Sequence, residues 1–480
     1  MKLSSSLHDF IANLFIKAGF PRPSWRKLRI YTLLHILLPI FLIITILSLS
    51  LVIYIPKLVI FMVFSFALGL LLRIFLLTAR VLDRKERLDS ELSYMIIASA
   101  SFSSLGIGLL KFLELLPLLD NKVFEEFRKE ALRVKVFRKW LTAHEALRLM
   151  LKYIPSTNIK RKLTNYIPSL LRGTEDLWLL SVARDEMNEI LVKSRLRLNL
   201  RTQIAIILMI ITSLLPVLVL SIAAIFYRSL LSQFIMVQTI IMLLGVLAAP
   251  RLPLHLKIQV GSHIVDALSI ASLLFLIFAL INTKLMFIIP ALVLSLAVGI
   301  YRTYIFIQGC REITEVPSIT KEFCDNILVL RNASKAAERA LQSSRSSVLS
   351  KCKDFDCSPR SWLAKFSLLL MKFVDIVGTV EHSVLESLRD TIAVLSLNFK
   401  EYLVSMCIVI CVALATPWLI TSALSLMRIG GLWGWLIAIF SSIFSSIIAS
   451  RYSFDDSLNT VLPTISAFEL CIFTGLLPWH

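Results

Sequence analysis

The chain has 480 residues, of which 57% are hydrophobic, and 51 Lys and Arg against 32 Asp and Glu give a formal charge of +19. This apolar share exceeds that of an ordinary globular chain, which excludes a soluble enzyme and sends most apolar residues into lipid. The basic excess flanks the apolar runs and forms no tail with interleaved aromatics, so it is assigned to topology and phospholipid contact, with no nucleic-acid partner.

In chain order, the amino-terminal tail carries Lys2, Lys17, Arg22, Arg26, Lys27 and Arg29 against Asp9, which places it in the cytoplasm. A membrane span needs about 20 apolar residues, and the first two are expected at 31–54 and 58–78. The first is too long for a signal-peptide core and reads as an anchor. Residues 1–78 thus form a tail and two spans. Arg73 lies about one and a half turns from the cytoplasmic end of the second span, within snorkelling reach of the interface.

Residues 79–202 hold 23 Lys and Arg against 15 Asp and Glu and lack strand alternation, which predicts a cytoplasmic helix bundle. An apolar helix through Phe102, Leu105, Leu109, Phe112, Leu113 and Leu116 ends at Pro117. Thr142-Ala143-His144-Glu145 fits a capping box. Pro155-Ser156-Thr157 breaks the chain, Leu163, Tyr166, Ile167, Leu170 and Leu171 recur at helical spacing, and Gly173 suits the position just past a helix end. Thr174-Glu175-Asp176 then starts the next helix. Lys122, Arg128, Lys129, Arg133, Lys135, Arg138 and Lys139 are a candidate docking face, against the plainer reading of a solvated helix. Glu125-Glu126, like Asp354 and Asp356 further on, reads as solvated.

Four spans follow in 203–306, at 203–226, 230–249, 264–282 and 285–306, with Asp266 and Arg302 expected to be solvated near cytoplasmic ends. Residues 307–401 form a second cytoplasmic helical domain, and 402–480 hold three spans at 402–426, 431–449 and 458–478. In the second domain Glu315-Val316-Pro317 opens a helix as Glu91-Leu92-Ser93 does in the first. Ser358-Pro359 opens another with Pro at its first position, continued by Leu368, Leu369, Phe373 and Ile376. Gly378-Thr379-Val380-Glu381 closes that helix and begins the next. Gly-Thr with an acid close behind therefore occurs twice, each time before a helix that feeds a span, which implies an internal duplication. The odd span count puts His480 outside. Glu469, near the middle of the last span, should be neutral or paired, in a structural or a functional role.

The expected fold class is an all-α polytopic membrane protein with about nine transmembrane helices and two duplicated cytoplasmic bundles. Cys407, Cys411 and Cys471 sit in apolar runs as small hydrophobes. Cys310, Cys324, Cys352 and Cys357 match no zinc or C-x-x-C spacing, so reduced thiols are expected, with an intracellular disulfide as the alternative. Without a phosphate loop, an H-E-x-x-H motif or a nucleophile elbow, neither enzyme activity nor a cofactor is expected.

Three blocks resemble the type II secretion F domain of archaeal type IV pilus and archaellum platform proteins, which carry two such domains. Gly106-Ile107-Gly108-Leu109-Leu110-Lys111-Phe112-Leu113-Glu114-Leu115-Leu116, preceded by Glu91-Leu92, is similar to the early Leu-rich block. His144-Glu145-Ala146-Leu147 through Pro155-Ser156 resembles the next, and Leu170-Leu171-Arg172-Gly173-Thr174-Glu175-Asp176-Leu177 the closing one. With the span layout included, the resemblance covers most of the chain, and the order and spacing of the blocks carry it. The second copy departs in having Asn332 about where Gly106 stands, a residue that tolerates a left-handed turn. The resemblance implies a platform in the cytoplasmic membrane, with a cytoplasmic secretion ATPase, pilin subunits and membrane lipids as partners and a homodimer left open. Gly106, Pro155, Gly173 and Gly378 would be structural motif positions. A transporter using Glu469 is the rival class, and a polytopic membrane enzyme the third.

Overall fold

The computed structural model describes residues 16–17, 56–119, 123–225, 238, 240–241, 244–246, 249–282, 284–344, 348–350, 352, 355, 357–378, 381–426 and 432–474. The expected span at 31–54, most of 230–249, Lys122, Asp354, Asp356, Thr379, Val380 and His480 lie outside these residues. The described residues are helical with no strand, apart from one isolated bridge between Ile258 and Ser361. Four helices among them are long and apolar enough to cross a membrane: His263–Asn282, Met286–Leu330, His382–Ala423 and Trp435–Phe454. The chain is therefore a helical membrane protein. It divides into two compact units, Met1–Met187 and Asn188–His480.

In the first unit, helix α1 (Pro56–Ser101) is continuous. The expected helix start at Glu91 is corrected: no proline interrupts the run after Pro56, and Leu88, Leu92, Met95 and Ile96 are buried as one stripe that extends the helix beyond the expected span. The expected helix through Phe102 to Leu116 is also corrected. Gly106 takes a left-handed φ of 68°, and a short α2 (Leu109–Leu115) begins only after Gly108. Pro117 sits in a 3-10 turn behind it. Helices α3 (Glu125–Phe137), α4 (Ala143–Tyr153) and α5 (Thr157–Arg172) follow, and α6 (Glu175–Ile225) opens here and continues in the second unit. Phe102, Phe112, Phe124, Phe127, Leu147 and Leu163 form the core. The rings of Phe112 and Phe124 meet edge to face at 6.3 Å.

The second unit holds the rest of α6, then α7 (His263–Asn282), α8 (Leu285–Leu330), α9 (Ala333–Gln342), α10 (Trp362–Val377) and α11 (His382–Ser396). It ends with α12 (Asn398–Leu426), α13 (Leu432–Phe454) and α14 (Val461–Phe473). Helix α8 passes Glu315-Val316-Pro317 without a break, so no helix starts there. At its end Arg331, not Asn332, takes the left-handed φ, and the Asn332 side chain caps α9 by accepting from Lys335 N at 2.9 Å. Ala333, Ala336, Ala337 and Ala340 form the buried face of α9. Helix α10 begins at Trp362 with Ser361 as its cap, three residues after Ser358-Pro359. The intervening link is held in place by Gln259 N donating to Arg360 O and Trp362 N donating to Lys257 O. Cys352 and Cys357 are joined in a disulfide, which corrects the expectation of reduced thiols. Cys407 and Cys411 lie on an exposed face of α12, and Cys471 is buried.

Candidate functional site

In the first unit the early and closing sequence blocks meet. Gly108 is the residue before α2, and the Glu175 carboxyl group occupies the place its Cβ would take. Only a residue without a side chain lets the carboxylate lie there. The Tyr166 hydroxyl accepts from Leu110 N at 3.3 Å and donates to Glu175 Oε2 at 2.6 Å. Burial and the neighbouring Glu175 raise the Tyr166 pKa, so the phenol stays protonated and serves as a fixed bridge. In the sequence Tyr166 had been only one member of an apolar stripe. Tyr166 and Glu175 lie on different helices on either side of the Gly173 turn, so no spacing along one helix signalled their contact.

A second arrangement occurs once in each unit. Helices α5 and α10 each have 16 residues, begin at a serine cap and end at a left-handed glycine, Gly173 (φ 69°) or Gly378 (φ 70°). Ser156 Oγ accepts from Ile159 N at 3.3 Å and donates to Asp89 Oδ1 at 2.5 Å. Ser361 Oγ accepts from Ala364 N at 3.2 Å, and Ser361 N donates to Glu312 Oε2 at 2.7 Å. In both, an acid on a long helix, α1 or α8, holds the cap of the glycine-ended helix. Pro155 lies in the extended link before Ser156. Glu91, expected to open a helix, instead accepts from Phe127 N at 2.9 Å and Glu126 N at 3.4 Å at the start of α3. Burial pushes its pKa up to about 8, and burial likewise raises that of Glu312.

The basic run is not a uniform free face. Lys129 pairs with Glu126 at 2.6 Å, Arg133 with Glu130 at 2.8 Å, and Arg138 with Glu114. Arg133 also lies over the Tyr153 ring. Lys135, Arg138 and Lys139 are exposed, and Arg128 is half-buried. Glu126 was expected to be solvated; it is part-buried and bonded to the buried Arg84 at 2.8 Å. Burial alone would raise its pKa, but Lys129 and Arg84 bring it below the usual carboxylate value. The capping box forms, with Glu145 accepting from Thr142 N at 3.0 Å.

In the second unit Arg302 corrects the expectation of solvation: it is 1% exposed and pairs with both Asp266 and Asp456. Arg201 is also buried, bonded to Asp455 at 2.9 Å and to the carbonyls of Tyr452 at 2.9 Å, Pro250 at 2.7 Å and Arg451. Thus one short segment, Arg451 to Asp456, holds both α6 and α8. A Cβ on Gly299 would stand 2.5 Å from Val461 N, so α8 and the start of α14 touch along their backbones. The signal was the acid pair Asp455-Asp456 in a short loop between two apolar helices, which calls for basic partners, though the sequence offers several arginines besides Arg201 and Arg302.

Buried hydroxyl groups continue this contact into the apolar helices. Ser295 bonds Thr464 at 2.7 Å, Thr460 Oγ1 donates to Ser295 O at 2.6 Å, and Ser446 bonds Ser466 at 2.5 Å. Such bonds satisfy polar groups where lipid cannot. Glu469 is half-buried on α14, and among the described residues its Oε2 has no hydrogen-bond partner. For Arg73 only the backbone, within α1, is described. No family model, curated protein or solved structure matches the chain.

Proposed function

We propose that the chain is the membrane platform of a type IV pilus-like filament assembly or secretion machine. In this reading it has about nine spans and an amino terminus in the cytoplasm of a cell membrane. It is not an enzyme itself: a cytoplasmic secretion ATPase docks on two duplicated helical modules, and pilin subunits receive the resulting movement. The observation that carries the reading is the repeated arrangement of Asp89, Ser156 and Gly173 in one module and Glu312, Ser361 and Gly378 in the other. In each module the helix following the glycine leads into an apolar segment, through α6 in the first and through α11 and α12 in the second. Rigid helices that cross from a polar module into lipid are a direct means of passing a displacement to the membrane.

A permease is the second reading, favoured by the buried hydroxyl groups around Ser295, Thr464 and Ser466 and by Glu469. Purification of the full chain from its native membrane in mild detergent separates the two. The platform predicts a co-purifying secretion ATPase and loss of surface filaments on deletion. A chain recovered without that ATPase, whose deletion abolishes uptake of a small solute, replaces the platform by the permease.

A further inference from the structure

The first unit has a groove of about 360 Å³ between α4 and α5, lined by Arg148, Thr164, Ile167, Pro168, Leu171 and Arg172. Its floor is apolar, and its two arginines are exposed and form no ion pair among the described residues. Helix α5 carries four Lys and Arg and no acid. Glu145, one turn before Arg148, is held in the cap at Thr142. Pro168 adds a second feature: it has no N–H to give to the Thr164 carbonyl, so the helix itself leaves that acceptor beside the groove. The matching helix of the second unit is closed. Of its 16 residues α10 buries 11, including Phe373 at the place corresponding to Pro168, whereas α5 buries four.

We propose that this groove docks an acidic amphipathic segment of a cytoplasmic protein partner. One apolar side chain would sit over Ile167, Pro168 and Leu171, and carboxylates on either side would bond Arg148 and Arg172. Planar guanidinium groups suit carboxylates in two-point contact, and an apolar anchor between charges gives such a contact its register. The chain's own amino-terminal tail is a poor occupant, because its six Lys and Arg against one acid would face like charge. The inference rests on the cytoplasmic placement proposed above and moves the docking surface from the partly self-paired basic run to the α4–α5 groove.

The test places a photo-crosslinking amino acid at Leu171 of the full chain in its native cells, with Leu118 as control. Both positions are 60% exposed, so accessibility is matched. The expected result is an adduct at Leu171, absent at Leu118, that maps to an acidic stretch of one cytosolic protein. Its yield should fall about tenfold in Arg148→Glu/Arg172→Glu and return when the partner's acids are changed to Lys. Arg148→Gln/Arg172→Gln gives the same comparison should charge reversal impair folding, and an unchanged melting temperature checks each variant. The proposal is overturned by no adduct above the control, by an adduct to lipid or to a second copy of this chain, or by a yield indifferent to the arginines. If the captured protein carries the acidic stretch but hydrolyses no nucleotide, the groove stands and the platform reading falls. If a secretion ATPase co-purifies while Leu171 captures nothing, the reverse holds.

Discussion

Arg302 and Asp456 are separated by 154 residues and form a part-buried ion pair, with the arginine itself buried, that ties α8 to the turn between α13 and α14. Asp266 takes the other end of the same guanidinium. Arg302→Gln strands two carboxylates, but Asp456 keeps 13% and Asp266 38% of its side chain exposed, so solvent screens part of the loss and the change should cost about 1–2 kcal/mol. Arg302→Leu combined with Asp456→Asn should cost less than the sum of the two single changes. Thermal unfolding of the detergent-solubilised variants in a double-mutant cycle measures the coupling, and additive effects would remove the pair from the list of structural contacts.

Gly299 and Gly108 make opposite demands. At Gly299 the obstacle is the Val461 backbone, which cannot swing aside, so Gly299→Ala should cost about 1–3 kcal/mol by separating α8 from α14. At Gly108 the obstacle is the end of the Glu175 side chain, which can rotate, so Gly108→Ala should cost less while breaking the bond to Tyr166. A ranking of melting temperatures with Gly108→Ala the lower of the two would contradict both assignments.

Glu91 is neutral in the folded state up to about pH 8, against 4.5 for the free side chain. The folded form therefore holds a proton that the unfolded form has lost. The stabilisation is complete below pH 4.5 and declines as pH rises through 8, with a slope approaching ~1.4 kcal/mol per pH unit between those values. Glu91→Gln keeps an acceptor for Phe127 N but cannot titrate, so its unfolding midpoint should vary less with pH over that window. Parallel pH profiles for the two proteins would exclude Glu91 as the titrating group.

The Cys352–Cys357 bond closes a short loop just before the Ser361 cap. By the loop-closure estimate it contributes about 2 kcal/mol. Peptide mapping without reductant should recover the linked pair, and reduction should lower the melting temperature of the native chain while leaving Cys352→Ser/Cys357→Ser unchanged.

Much of the local structure was legible in the sequence. The turns at Gly173 and Gly378 were readable because a left-handed residue after an apolar stripe favours glycine, and the Thr142–Glu145 box because its partners are three residues apart. Apolar runs of about 20 residues likewise declare a membrane protein, since lipid offers backbone groups no partner outside the helix. What spacing could not convey was continuity. Glu91 and Pro317 look like helix starts, yet α1 and α8 run through both, because packing along one face outweighs a local break signal. Pairings across long separations were also decided by the fold alone. Whether Arg302 faces water or Asp456, and whether Lys129 is a free docking charge or the partner of Glu126, depends on which surfaces come within a few ångströms. That is a property of the assembled helices, for which a single helix, read along its own length, has no coordinate.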